Sequence, residues 1–320
     1  MAEIGYAVET RALTKRYGRV LAVNQLNLQV PRGALFGFIG PNGAGKTTTL
    51  RMLAGLLDAT SGEVWVAGQR VDRDLRASHR LIGYMPDFFG VYDGMLVWEY
   101  LDFFARCYGL PAARRQTMVG ELLDLVNLTD KRDANVQALS RGMQQRLCLA
   151  HALVHDPQIL LLDEPASGLD PRARIEMREL LKELAAMGKT ILVSSHILAE
   201  LAEMCSAVGI IEKGALVACG ATAEIRRKLQ ASRLVRARFL ADETGAREWV
   251  RAVGCGEPRL VPEANQTGTT LELEIAGGDE ATAETLAQLI ARGARIADFR
   301  EAGNPLEDLF LQLTEPESKA

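Results

Sequence analysis

The chain has 320 residues, of which 48% are hydrophobic and 24% charged, with a formal charge of -4. That length accommodates about two domains and a sizeable core, the charge balance gives no basic footprint for nucleic acid, and no apolar run approaches the roughly 20 residues that span a bilayer. The five cysteines are dispersed, odd in number and without CxxC spacing, which argues against a disulfide framework or a zinc site, and the N-terminal MAEIGYAVETR lacks the features of a secretory signal, so the cytoplasm is the expected compartment.

Short apolar runs ending in glycine, aspartate or histidine read as strands: LFGFIG from 35, ILLLDE from 159, TILVSSH from 190 and AVGIIEKG from 207. Helical patterns lie between them, such as RARIEMRELLKELAAMG from 172, where Ile175, Leu180, Leu181 and Leu184 recur near the helical period. This alternation predicts an α/β fold with a mainly parallel sheet covered on both faces, and ligands at the carboxyl ends of its strands.

The first strand runs into GPNGAGKTT, residues 40–48, which opens the helical pattern KTTTLRMLAGLL and fits GxxxxGK[ST]. Gly40, Gly43 and Gly45, with Pro41, Asn42 and Ala44 between them, can turn backbone amides inward at a helix N-terminus and cradle a polyphosphate such as that of ATP. Lys46 is expected to pair with the β- and γ-phosphates, Thr47 to offer its hydroxyl to Mg²⁺, and Thr48 to complete the loop. Downstream, half of the chain's aromatic residues fall between Tyr84 and Tyr108; Tyr100, Phe104 and Tyr108 recur every four residues and can line one helix face, with core packing as their ordinary use. At the end of the ILLLDEP strand, Asp163 can hold Mg²⁺ through water and Glu164 can orient and deprotonate an attacking water. Alone, two such carboxylates could equally cap a turn; the phosphate loop favours the catalytic reading. His196, closing TILVSSH, could reach the γ-phosphate, although a lone histidine is more often structural.

After about residue 228 the segments LVRARFLA, GAREWVRAVG, PRLVPE, TTLELEIA, EATAETLAQLIARG and RIADFREA follow in the order strand, helix, strand, strand, helix, strand. That is the order of a split βαβ unit, so a small ferredoxin-like α+β domain is expected over 229–320, with a linker near RRKLQASR. A last helix is predicted in NPLEDLFLQLTE, with Asn304 as cap, Pro305 at the first position, and Leu306, Leu309, Phe310 and Leu313 on one face.

With these motifs, LSRGMQQRLCLAHAL from 139 and SGLD at 167–170 make the chain resemble the ATP-binding-cassette ATPases, the nucleotide-binding subunits of ABC transporters. The resemblance covers roughly residues 6–225. It implies a nucleotide-binding domain over 1–228 with an antiparallel N-terminal β region and a helical signature subdomain at about 86–155. It also implies that Tyr17 in LTKRYG stacks on adenine, where a generic strand-edge tyrosine is the alternative, and that Ser140 and Gly142 form a second anion site closing on ATP held by another nucleotide-binding subunit. Two copies would then sandwich two ATP molecules, and hydrolysis would open the dimer to drive a separate integral-membrane permease, placing the protein peripherally on the inner face of the cell membrane. Arg141 and Met143 depart from the common LSGGQ pattern; Arg141 could add charge near phosphate or simply be solvated. In MPDFFGVYDG, from 85, Asp87 stands where the family carries a glutamine near Mg²⁺ and the attacking water, and could itself be a metal ligand. By the same resemblance Phe88, Phe89 and Tyr92 face the permease, as docking residues rather than core. The small C-terminal domain and its PLEDLFLQLT tail resemble, more weakly, the ATPase subunits of bacterial drug, lipid or polysaccharide exporters. A non-transport ABC ATPase and a low-turnover ATP-dependent dimerisation switch are the alternatives.

Overall fold

A computed structural model describes residues 5–88, 90, 94–222, 232–262 and 268–301, and divides into two compact units, Met1–Gly220 and Ala221–Ala320. The expected boundary at 228 falls in 223–231, outside the described residues, as do Phe89, Tyr92 and the helix predicted from Asn304.

In chain order the first unit runs β1 (Tyr6–Tyr17), β2 (Val20–Leu26), β3 (Gln29–Pro31), β4 (Leu35–Ile39), α1 (Lys46–Leu53), β5 (Ser61–Val66), β6 (Gln69–Arg70), α2 (Leu75–Leu81) and β7 (Ile82–Met85). It continues with α3 (Val97–Cys107), α4 (Ala112–Leu125), α5 (Arg141–Leu153), β8 (Ile159–Asp163), α6 (Pro171–Ala186), β9 (Thr190–Ser195), α7 (Leu198–Ala202), β10 (Ala207–Glu212) and β11 (Ala215–Ala221). β1 pairs antiparallel with β2, β3 and β5, forming the N-terminal antiparallel region. The central sheet has the order β11-β10-β4-β9-β8-β7, parallel from β10 through β7.

Every residue of β4, β8 and β9 is buried. That is why these strands read as unbroken apolar runs instead of alternating ones: a parallel sheet is covered on both faces. One core joins the antiparallel region to the central sheet, with Val8, Leu13 and Val66 on one side, Phe36, Phe38 and Leu161 on the other, and Leu50 and Leu53 of α1 between them. Packing α1 in this way fixes the direction in which its N-terminus, and the phosphate loop before it, points.

Asp170 caps α6 by accepting hydrogen bonds from the amides of Arg172 and Ala173, and Pro171 occupies the first turn. Its buried face is Met177, Leu180, Leu181 and Leu184, whereas Ile175 is 52% exposed. Ile175 is therefore not on the inward face as the sequence pattern predicted; the spacing i, i+3, i+4, i+7 starts at Met177. Among the helices following β7, Tyr100 is fully buried and its ring meets Phe104 edge-on at 4.9 Å between centroids. Phe104 lies against His151 of α5, and Tyr108 against His155 just beyond the end of that helix, at 3.8 and 3.9 Å between centroids. The aromatic series along α3 and its C-cap is thus matched by two histidines four residues apart, one in α5 and one just after it, which supports the packing role.

The second unit contains β12 (Ser232–Phe239), α8 (Glu243–Ala252), β13 (Arg259–Val261), β14 (Thr269–Ala276), α9 (Asp279–Ala291) and β15 (Ile296–Glu301). Its sheet order is β13-β14-β12-β15, and every neighbouring pair is antiparallel. Alternate residues Val235, Ala237, Phe239, Leu271, Leu273 and Ile275 share a core with Ala246 and Val250 of α8 and Leu289 of α9. Both helices therefore cover the same face of the sheet, as the split βαβ order predicts.

Candidate active site

The phosphate loop spans the turn from β4 into α1. Gly45 caps α1 at φ 106, and a Cβ there would lie 2.5 Å from the carbonyl oxygen of Ala22. At Gly40 a Cβ would collide with the carbonyl oxygen of Ile211. Glycine is required at both because neighbouring backbone closes on the loop, and at Gly45 also because φ is left-handed. Ala44 is buried, and its carbonyl accepts from the Gly214 amide. Pro41, Asn42, Gly43, Gly45, Lys46, Thr47 and Thr48 line a cleft of about 190 Å³ together with Asp87 and Glu164.

Lys46 is 6% exposed, and its ammonium donates to the carbonyls of Gly40 at 2.6 Å and Pro41 at 3.3 Å. It also pairs with Glu164 Oε1 at 3.2 Å. The other oxygen, Oε2, lies 2.9 Å from His196 Nδ1. Lysine, glutamate and histidine, separated by 118 and 32 positions in the chain, are consequently in one continuous contact. Glu164 itself has φ 50, a left-handed backbone that is uncommon outside glycine. It lines both the phosphate cleft and a second cavity of about 240 Å³ that reaches His196 and the first turns of α6.

Asp163 closes β8 and is 1% exposed. Its Oδ1 accepts from the Ser194 hydroxyl at 2.7 Å, whereas Oδ2 is buried with no hydrogen-bond partner among the described residues. A buried carboxylate oxygen without a donor, with the Glu164 carboxylate next in the chain, is the kind of ligand a hard divalent cation such as Mg²⁺ takes. Asp87 opens to solvent on one side, yet partial burial raises its pKa, and the charges of Asp163 and Glu164 raise it further, opposed by Arg141 and His196. Its neighbour Phe88 is 84% exposed.

Of the other expected residues, Gly40, Ala44, Asp163, His196, Tyr17, Ser140 and Gly142 do not themselves line this cleft. Tyr17 is half-exposed at the end of β1, with the Lys15 ammonium 5.2 Å from its ring centroid. Ser140 caps α5, its Oγ accepting from the Met143 amide at 3.4 Å. Gly142 lets that helix start approach α6, since a Cβ would sit 3.1 Å from the Cβ of Ala173. Arg141 is exposed; its guanidinium lies over Gly168 of the SGLD loop, in the space a Cβ there would need, and its charge acts to lower the pKa of Asp87. Sequence reasoning also passed over Ser194, which touches both Asp163 and Glu164. The available signal was a serine pair interrupting an otherwise apolar strand.

Residues 23–167 match the family model described as ABC transporter. The chain is 37% identical to Nod factor export ATP-binding protein I of Paraburkholderia xenovorans (strain LB400) over 312 residues, covering 96% of this chain and 97% of that one. It is 43% identical to the protein of the same name from Burkholderia orbicola (strain AU 1054) over 214 residues, covering 67% and 70%. Among solved structures, an ATP-binding subunit of an ABC transporter superposes with a TM-score of 0.63 at 30% identity, covering 69% of this chain and 92% of that one. The cbiO1 structure from Clostridium perfringens, part of the ABC transporter complex cbiONQ, gives 0.63 at 26% identity over 70% and 91%. The phosphate-loop cleft and a relative that matches the chain over nearly its full length lead to one assignment: the protein belongs to the ATP-binding subunits of ABC transporters.

Proposed function

We propose that the protein hydrolyses ATP to power an exporter, closing on ATP as a dimer and passing its opening to a separate membrane-spanning permease. The observation that carries this reading is the contact line Lys46, Glu164, His196, which runs from the phosphate cleft through Glu164, together with the unpartnered oxygen of Asp163. Export is taken from the relatives named Nod factor export ATP-binding proteins. Among the described residues no helix is long and apolar enough to cross a membrane, in keeping with a peripheral subunit held on the inner face through its permease.

Lys46 exchanges its carbonyl and Glu164 partners for β- and γ-phosphate oxygens, because an anion with more charge competes better for the ammonium. Glu164, released from the ion pair, orients water and takes its proton as the water oxygen attacks the γ-phosphorus and the bond to the β–γ bridging oxygen breaks. His196 holds Glu164 Oε2 and is positioned to meet the γ-phosphate. Thr47 and Asp163 would hold Mg²⁺, with Asp87 as a further carboxylate; the ion neutralises charge on the phosphate oxygens when bound. Tyr17 would stack on adenine. Ser140 and Gly142 of a second copy would complete the site, so that loss of the γ-phosphate removes the contact that favours the closed dimer.

A low-turnover dimerisation switch is the second reading, favoured by the negative charge that Asp87 adds beside Asp163 and Glu164. Steady-state ATPase and sedimentation measurements separate the two. Lys46→Ala is expected to lose nucleotide binding or turnover, and Glu164→Gln to retain binding and accumulate an ATP-bound dimer. Equal turnover in wild type and both variants would sink the mechanism, and ATP-dependent dimers without wild-type turnover would identify the switch. Co-purification of an integral membrane protein from native membranes tests the permease.

A further inference from the structure

β8 and β9 lie parallel with Asp163 opposite Ser194. The Ser194 side chain is completely buried, and its hydroxyl makes two bonds of opposite sense. It donates to Asp163 Oδ1 at 2.7 Å and accepts from the Glu164 amide at 3.0 Å. We propose that Ser194 is the positioning residue for both carboxylates of the hydrolytic site, holding Asp163 by its side chain and Glu164 by its backbone; this rests on the ATPase reading above.

The two bonds have different consequences. Occupying Oδ1 fixes the rotation of the Asp163 carboxylate and leaves Oδ2, which has no hydrogen-bond partner among the described residues, as the oxygen available to a cation. Anchoring the Glu164 amide ties down a residue whose backbone is left-handed at φ 50. The base therefore leaves the strand at a fixed angle, with its carboxylate between Lys46 and His196. A hydroxyl meets both demands because it combines one donor with two acceptor lone pairs. The adjacent Ser195 has a separate task, accepting from the Ile197 amide at 3.0 Å in the turn toward α7. The two serines before His196 thus divide between site and turn.

The experiment compares wild type, Ser194→Ala, Ser194→Cys and Ser194→Thr, with Glu164→Gln as control. Alanine removes both bonds, cysteine nearly keeps the size but bonds weakly, and threonine keeps the hydroxyl. Steady-state ATPase kinetics, Mg²⁺ titration of fluorescent ATP-analogue binding and hydrogen exchange at the Glu164 amide are measured on full-length protein. The alanine and cysteine variants are expected to lose about tenfold or more in kcat with KM for ATP within about threefold, since a loosened site harms the transition state more than the ground state. The Mg²⁺ needed for half-maximal binding should rise by about threefold, exchange at the Glu164 amide should accelerate by about tenfold, and threonine should recover most of each effect. Unchanged kcat, Mg²⁺ dependence and amide exchange in an alanine or cysteine variant that binds the analogue normally in EDTA would overturn the proposal. If Glu164→Gln turns over like wild type, the hydrolytic reading fails separately, while the Mg²⁺ and exchange measurements still decide the role of Ser194.

Discussion

His151 lies on the helix that starts at the signature residues, with its ring against Phe104 and its Nδ1 3.4 Å from the Tyr100 hydroxyl. Burial lowers its pKa from 6.5 to about 4, with His155 adding to the depression. Between those two values the unfolded chain binds a proton that the folded chain excludes, so stability falls as the pH drops through this window and is fully present above it. For a single site with these two pKa values, the loss between pH 7 and pH 5 is about 2 kcal/mol. His151→Phe keeps an aromatic ring against Phe104 and removes the titration, at the cost of the Tyr100 contact. Urea unfolding by far-ultraviolet circular dichroism at both pH values, each protein compared with itself, cancels that packing difference. Wild type should lose about 2 kcal/mol more than the variant on acidification. Equal losses would refute the argument that a neutral, buried His151 supports the helix presenting Ser140 and Gly142.

Asp87→Gln should reduce the gain in ATP affinity that Mg²⁺ confers by roughly fivefold, the order of one partly screened charge interaction; identical ratios of affinity with and without Mg²⁺ in the two proteins would reject a metal-linked role for Asp87. Ser140→Arg should leave nucleotide binding by the monomer within about twofold while preventing ATP-dependent dimerisation in sedimentation velocity, because a bulky cation replaces the hydroxyl of the second anion site. Ser140→Ala controls for the lost helix cap, worth about 1 kcal/mol. Dimerisation retained by Ser140→Arg would count against the cross-subunit assignment.

Some features of the site needed only short stretches of chain. The GPNGAGKTT pattern specifies a glycine turn opening a helix, and the apolar run before Asp163 specifies a strand buried on both faces; both signals come from neighbours a few residues apart, where backbone sterics and periodicity act. The strand and helix order of the C-terminal unit was legible for the same reason, since β12, β14 and α8 show their periods plainly. Periodicity was weaker on α6, where Ile175 and Met177 are similar in hydrophobicity and only packing against the sheet settled which one is buried.

The sequence by itself determined the phosphate loop, the strand that delivers Asp163 and Glu164, and the alternation that makes the central sheet parallel. Tertiary structure alone decided that Lys46 meets Glu164, that Ser194 bonds the Asp163 carboxylate and the Glu164 amide, and that Arg141 covers Gly168. The division has a physical cause. Local signals arise from the allowed conformations of adjacent residues, whereas these contacts depend on which strands lie side by side and in what register, and that is fixed only when the whole core is packed.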